Sequence, residues 1–206
     1  MFPLSHKRIL DISYKNKTSH LSSCLTAVDI IDEIYQKKKS NDLFVLSCGH
    51  AFLALAVILE KYEGKNAEEL VKKHGTHPNR DVNDKIWCSS GSLGCGLPIA
   101  CGLALSDKTR EVYCLISDGE SFEGSIYETL NFIEKYRVDN LKVYCNINGF
   151  SALEKVGSLS VAIKLKTLHP NINIRFTNCG QYPFLNGVGA HYYTLTGADK
   201  NKLDNA

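Results

Sequence analysis

The stretch that decides the fold is "CLISDGESFEGSIYETLNFIEKYRVDNLKVYCNINGF", residues 114–150. An apolar run ends at Asp118, a helix-like segment follows over 121–136, and a second apolar run ends near Asn148. Short apolar runs bounded by polar turn residues are typical of buried strands. Because two strands joined by a helix favour a parallel pair, a carboxylate and a carboxamide are expected side by side at one sheet edge.

The rest of the chain repeats this alternation. Apolar spacing predicts helices over 25–38 and 50–64, and Asn66 followed by Glu69 is typical of a further helix start. The remaining predicted elements are strands over 42–47 and 172–176, a Gly-rich turn running into a helix over 89–106, a helix-like piece after 157, and a helix stub over 197–206. Strands separated by helices predict one α/β domain, residues 1–206, with a mostly parallel sheet flanked by helices.

The composition excludes several classes of protein. The chain has 206 residues, 44% hydrophobic and 22% charged, with net charge +2, which is typical of one sizeable globular domain. Such a balance favours neither nucleic acid nor a membrane surface as a partner. The longest apolar run, 51–59, is shorter than the roughly 20 residues of a membrane span, and the first ten residues have no signal-peptide pattern.

Cysteine usage bears on the compartment. Eight cysteines occur with no C-x-x-C pair, and several lie inside apolar runs. Zinc sites need clustered ligands, and disulfide frameworks belong mainly to short secreted chains. We therefore expect reduced, buried thiols and a cytoplasmic protein.

The predicted sheet edge has the chemistry of a metal and diphosphate site. Ligands of open parallel sheets bind outside the carboxyl ends of the strands, and a helix start after Asp118 would offer free N–H groups. A carboxylate from Asp118 and an amide oxygen from Asn148 suit Mg²⁺, which takes few protein ligands plus phosphate oxygens. The same residues also fit a helix cap and a turn, so the residues alone leave both interpretations open.

Five motifs, in one order over residues 19–151, resemble the transketolase family. "DGESFEGSIYE" (118–128), with the later N-G, is similar to the family's thiamine-diphosphate motif, D-G-x-x-x-E-G-x-x-x-E. The others are "SHLSSCLTAVDII" (19–31), "LSCGHA" (46–51), "THPNRD" (76–81) and "SSGSLGCGL" (89–97). The resemblance implies a thiamine diphosphate-binding fold of the diphosphate-binding type.

The resemblance also implies a cofactor and its ligands. Thiamine diphosphate would bind with Mg²⁺ or Ca²⁺, and the metal would be held by Asp118, Asn148 and the backbone carbonyl of Phe150. The expected cofactor contacts are Gly119, Asn148, His50, Gly91, Ser92 and Leu93.

Further roles follow from the same resemblance. His20 and His77 would face the reacting end of the substrate, and His191 is similar to a later substrate-facing histidine, although the usual following Gly is missing. Glu123 and Glu128 match acids that lie between the two active sites of a family dimer. The alternative interpretation is that Glu123 and Glu128 lie on a solvated helix face.

The resemblance covers only the diphosphate-binding half of a full transketolase, and the stretch after 157 is short for the family. We expect the N-terminal subunit of a split enzyme, inactive alone, that transfers a two-carbon ketol unit from a ketose to an aldose, with sugars or sugar phosphates as substrates. A separate pyrimidine-binding subunit would supply the activating glutamate, in an assembly of two copies of each chain. An exposed apolar surface is expected around the Gly-rich turn and 121–136.

Three alternatives remain. One is a related thiamine-diphosphate enzyme with another acyl donor, such as pyruvate or a specialised sugar. Another is a nucleotide-binding module that uses "GSLGCGL", which lacks the Lys-Ser/Thr of a P-loop and the G-x-G-x-x-G order. The third is a non-catalytic regulatory subunit.

Overall fold

Four parallel strands form the predicted sheet, in the spatial order β1-β2-β3-β4. The structure is a computed structural model, and it describes residues 3–185 and 187–204. The strands are β1 (Leu43–Leu46), β2 (Val112–Ser117), β3 (Leu141–Ile147) and β4 (Asn173–Phe176). Almost every residue of β1, β2 and β3 is buried, which explains why these strands are continuous apolar runs.

Helices cover both faces of the sheet. Within the described ranges the α-helices are α1 (Leu4–Asn16), α2 (Leu21–Lys37), α3 (Phe52–Glu63), α4 (Ala67–His74), α5 (Gly96–Ser106), α6 (Gly124–Tyr136), α7 (Ser158–Leu168) and α8 (Gly197–Asp204). Side chains alternate between the two faces of each strand. Phe44, Tyr113 and Tyr144 belong to a core with α1 to α4, whereas Val45 and Cys114 belong to a core with α5 to α7.

Most predicted elements are confirmed, with shifted ends. The helix predicted over 25–38 begins earlier, at Leu21, and the one predicted over 50–64 is a 3₁₀ turn (Gly49–Ala51) followed by α3. The side chain of Asn66 caps α4 as predicted, since its Oδ1 accepts the N–H groups of Glu68 and Glu69. Helix α1 was not among the predictions.

One correction concerns the segment after β2. The prediction of a helix over 121–136 directly behind Asp118 is wrong at its start, because a 3₁₀ turn (Gly119–Phe122) comes first. Glu123 is extended, with φ −86° and ψ 131°, and α6 begins only after it. The reason is the inward-turned side chain of Glu120, which is fully buried and accepts hydrogen bonds from the end of β2.

The cysteine prediction is confirmed: all eight thiols are free, and all except Cys95 are buried. In the C-terminal part, α7, β4 and α8 match the predicted helix, strand and helix stub, whose last two residues lie outside the described ranges. Among the described helices, none combines the length and the apolar character that crossing a bilayer requires.

Candidate active site

A cavity of about 260 Å³ lies where β2 and β3 end, at the carboxyl edge of the sheet. Its walls come from segments that are far apart in the sequence. The predicted site residues that line it are His20, His50, His77, Gly91, Leu93, Asp118, Gly119, Asn148, Phe150 and His191. The fold therefore brings together ten residues that the motifs singled out separately.

Parallel pairing places Asp118 beside Asn148. The backbone N–H of Asp118 donates to Asn146 O at 2.9 Å, which extends the β2–β3 ladder by one residue. The Asp118 carboxylate then accepts the N–H of Gly149 at 2.8 Å and the N–H of Gly119 at 3.0 Å. Asn148 Oδ1 accepts the N–H of Phe150 at 3.0 Å. Asp118 and Asn148 thus make the contacts of a helix cap and of a turn, and both side chains also line the cavity.

The oxygen atoms at this edge fit a divalent cation. Asp118 is only 1% exposed, and burial raises the pKa of its carboxyl group, opposed first by the hydrogen bond from Gly149 N. Among the described residues that line the cavity, none is Lys or Arg. A buried carboxylate without a cation is costly, and each of its oxygens keeps lone pairs beyond the backbone bonds. Mg²⁺ or Ca²⁺ bound by Asp118, Asn148 and a backbone carbonyl would offset that cost.

Two glycines leave room for a diphosphate. A Cβ added at Gly119 would meet protein atoms no closer than 3.7 Å, at Ser151, and one added at Gly91 would meet His77 at 3.7 Å. Both residues line the cavity, so the space that a side chain would occupy there belongs to the cavity itself. A ligand can approach the backbone closely at such positions.

Four histidines from four segments converge on one side of the cavity. His20 precedes α2, His50 lies in the 3₁₀ turn before α3, His77 follows α4, and His191 lies in the 3₁₀ turn Val188–Tyr192. The ring centroid of His20 is 5.7 Å from that of His50, 5.6 Å from that of His77 and 4.3 Å from that of His191.

The histidine environment favours neutral rings. Burial, followed by the neighbouring His191 and His77, lowers the pKa of His20 to about 4. Burial and then His20 lower the pKa of His50 to about 3. Burial also lowers the pKa of His191. Neutral imidazoles can accept or donate a proton and do not repel a metal ion.

The backbone holds His20 in an uncommon conformation. Its φ is 60°, in the left-handed region that non-glycine residues seldom adopt. Its N–H donates to His191 O at 3.0 Å, and its Nδ1 lies 2.7 Å from Ser19 Oγ. These contacts fix the ring against the cavity, as expected where surrounding structure maintains a strained residue.

Three predicted residues do not line the cavity. Ser92 is exposed on the Gly-rich turn, Glu123 is half-buried directly before α6, and Glu128 is exposed on α6. Their positions leave Glu123 and Glu128 available to a neighbouring chain, and their roles stay predictions.

Sequence reasoning missed other residues at the site. Tyr192 lines the cavity beside His191, and its only signal in the sequence is that adjacency. Glu120 lies behind the cavity wall, fully buried. An acid two residues after Asp118 carries no periodic signal, since it lies in a 3₁₀ turn rather than a helix or a strand.

The sequence comparisons agree with the geometry. A family model described as 1-deoxy-D-xylulose-5-phosphate synthase matches residues 6–179. An apulose-4-phosphate transketolase subunit from Phocaeicola vulgatus is 31% identical over 157 residues, covering 66% of this chain and 56% of the relative. Transketolase of Homo sapiens is 32% identical over 154 residues, covering 64% of this chain and 24% of the relative.

The structural comparison shows a shared fold. Transketolase from Leishmania mexicana aligns with a TM-score of 0.61 and 17% sequence identity, covering 84% of this chain and 35% of that chain. This chain therefore spans about half of the Phocaeicola relative and about a third or less of the transketolases that it matches.

Proposed function

We propose that this chain, which belongs to the family described as 1-deoxy-D-xylulose-5-phosphate synthase, is the diphosphate-binding part of a thiamine-diphosphate-dependent ketol transferase. The observation that carries the proposal is the cavity in which a buried Asp118, Asn148 and four histidines meet at the carboxyl edge of a parallel sheet. The names of the relatives, which include transketolase, support the proposal that the transferred unit is a two-carbon ketol group, moved from a ketose to an aldose.

The cation and the diphosphate would bind at the strand ends. Asp118, Asn148 and the carbonyl of Phe150 hold Mg²⁺ or Ca²⁺, which offsets the charge of the diphosphate in a cavity without Lys or Arg among its described lining residues. Gly119 and Gly91 leave room for the phosphates, and Leu93 contacts the rings. Thiamine diphosphate, when bound, supplies the electron sink that stabilises the transferred carbon unit.

The histidines would handle substrate protons. His20 and His77 line the same cavity as Asp118, with His20 next to His191, and their positions suit hydrogen bonds to the hydroxyl groups of a sugar. A neutral ring at His20 can take up a proton from a substrate hydroxyl and return it later in the same turnover. His50 contacts the cofactor.

A second polypeptide would complete the site. Apolar side chains near the Gly-rich turn and α6 are exposed, with Leu93 at 36%, Ile99 at 40% and Phe122 at 59%. Such a surface suits an interface. The Phocaeicola relative is itself named as one subunit of its enzyme, which supports a separate pyrimidine-binding polypeptide here. We propose two copies of each chain, with Glu123 and Glu128 between the sites, in the cytoplasm.

The comparisons also favour a second candidate. The matching family is described by the name of a synthase whose product lacks the hydroxyl group at carbon 1. Such a product requires a donor whose transferred two-carbon unit carries a methyl group, and pyruvate is a donor of this kind. Assays with a ketose donor and with pyruvate, in parallel, distinguish the two; we expect turnover with the ketose.

The metal and diphosphate site can be tested by titration calorimetry of thiamine diphosphate into the assembled enzyme. Asp118→Ala should abolish binding that depends on Mg²⁺, because the buried carboxylate is the only negatively charged protein ligand proposed for the cation. The control is Asp139→Asn, an exposed acid beyond α6, which should bind as wild type does. Unchanged affinity in Asp118→Ala would refute the site.

A further inference from the structure

Glu120 is a fully buried acid that none of the roles above uses. Its carboxylate accepts hydrogen bonds from Ser47 Oγ at 2.5 Å, Ser117 N at 2.9 Å and Gly94 N at 3.0 Å. Every one of these partners is a donor, so the carboxylate acts as an acceptor on both oxygens. A charged group at such depth is stabilised only by these hydrogen bonds.

The three donors belong to three different segments. Ser47 directly follows β1, Ser117 ends β2, and Gly94 lies in the Gly-rich turn before α5. Glu120 itself lies in the 3₁₀ turn after Asp118. One side chain therefore connects the ends of two neighbouring strands to the turn that carries Leu93 into the cavity.

The Gly-rich turn is packed with little tolerance. A Cβ at Gly94, whose φ is +76°, would lie 2.5 Å from Ser125 Oγ, and one at Gly96 would lie 2.5 Å from the Cα of Ser47. The Gly94 carbonyl accepts a hydrogen bond from Ser125 Oγ at 2.9 Å, whereas its N–H donates to Glu120. The carbonyl group of Gly94 is thus hydrogen-bonded to α6, and its N–H group is hydrogen-bonded to the buried Glu120.

We infer that Glu120 is a positioning residue that holds the Gly-rich turn, and with it Gly91 and Leu93, against the strand ends that carry Asp118. The inference rests on the proposed function only in its last step, where the positioned turn contacts thiamine diphosphate. Glu120 touches neither the cavity nor, by this inference, the cofactor; it acts through Gly94 and Ser47.

The same geometry makes one backbone N–H group of the turn unavailable to a ligand phosphate. In a nucleotide-binding loop the backbone N–H groups point at the ligand phosphates. Here the N–H of Gly94 is taken by a carboxylate of the protein. The turn presents Gly91 and Leu93 to the cavity instead.

The first test measures amide hydrogen exchange in the chain without cofactor or partner. Glu120→Gln keeps the size of the side chain but places an NH₂ group against donors, so exchange of the amides in 89–96 should rise about tenfold or more. Exchange in α1 and β4 should not change. The matched control is Glu63→Gln, an exposed acid at the end of α3. Wild-type exchange at 89–96 in Glu120→Gln would overturn the inference.

A second variant covers the case in which Glu120→Gln fails to fold. Ser47→Ala removes only one donor to the carboxylate, and it should raise exchange at 89–96 by a smaller factor while α1 and β4 stay protected. If Ser47→Ala does not raise amide exchange at 89–96, or raises it equally in α1 and β4, the inference is also overturned.

The second test uses the assembled enzyme. Glu120→Gln should raise the Kd of thiamine diphosphate about tenfold, with kcat at saturating cofactor near that of wild type. A purely structural loss would instead lower the active fraction and leave the Kd unchanged, which would overturn the positioning role. If the wild-type assembly does not bind thiamine diphosphate, the proposed function fails, whereas the exchange experiment still decides the role of Glu120.

Discussion

Two of the four histidines of the cavity, His20 and His50, lie in surroundings that disfavour a charged ring. His50 is buried against His20, and the pKa values of both are lowered, to about 3 and about 4. A positively charged ring at either position would repel the other and would lose hydration. His20 and His50 are therefore neutral near pH 7, the state in which imidazole both accepts and donates.

Turnover should depend on two of these rings. Alanine at His20 or His77 should lower kcat by roughly 10²-fold or more, a common scale for general acid–base groups, with cofactor affinity nearly intact. Steady-state kinetics of the assembled enzyme measures this. His169→Asn, which alters a histidine that pairs with Glu134 away from the cavity, serves as control. Full turnover in either alanine variant would reduce that histidine to a structural role.

The same pKa values predict acid sensitivity of the folded chain. Because the folded-state pKa of His50 lies below its unfolded value of 6.5, the unfolded chain binds more protons between about pH 6.5 and 3. Stability from the neutral ring is complete above pH 6.5 and is lost as pH falls. Denaturant unfolding at several pH values should show a smaller acid loss in His50→Gln than in wild type. Parallel curves would contradict this.

At the scale of elements, the turns that carry the site are packed closely against each other. Gly49 lies directly before His50, and a Cβ there would meet the backbone oxygen of Ser90 at 1.4 Å. Gly102 lies in α5, is exposed, and has no atom within 4 Å of an added Cβ. Alanine would therefore clash with the backbone at position 49, whereas at position 102 it has open space.

Urea unfolding of two variants tests that difference. Gly49→Ala should lower the free energy of unfolding by roughly 1–3 kcal/mol or more, because the backbone of Ser90 must move. Gly102→Ala should raise it by about 0.5–1 kcal/mol, since alanine is the better helix residue. Equal effects of the two substitutions would show that the close approach at Gly49 is not rigid.

Several elements could be predicted from the sequence for physical reasons. β2 and β3 are buried on both faces, so their apolar runs are unbroken, and Asp118 and Asn148 mark their ends. The start of α6 could not be predicted, because the inward side chain of Glu120 is held by contacts with Ser47 and Gly94, and the extended Glu123 follows it. Such long-range contacts leave no periodic pattern.

At the scale of the whole molecule, the sheet joins two helical layers and leaves the site at their common edge. α1 to α4 cover one face and α5 to α7 the other, and the cavity is lined by Ser23 of α2 and by residues of the turns and loops at the strand ends. The rim of the cavity includes Tyr192, which is 68% exposed. The convergence of His20 with His191 could be predicted only through the family resemblance, because α2 and the C-terminal part share no local signal.

The exposed rim of the cavity is where the proposed second polypeptide would bind. In the proposed enzyme, this chain would bind the diphosphate of thiamine diphosphate, and the second polypeptide would bind its aminopyrimidine ring. We therefore expect the cavity described above to bind the cofactor tightly only when a pyrimidine-binding domain covers it.

The most direct test is a two-carbon transfer assay with thiamine diphosphate and Mg²⁺, on the purified 206-residue chain, on a polypeptide carrying the pyrimidine-binding domain from the same source, and on both together. We expect no transfer by either polypeptide alone, and transfer from a ketose to an aldose by the mixture. This transfer should be lost when the Asp118→Ala variant replaces the wild-type chain. Transfer by this chain alone, or a mixture that is insensitive to Asp118→Ala, would contradict this expectation.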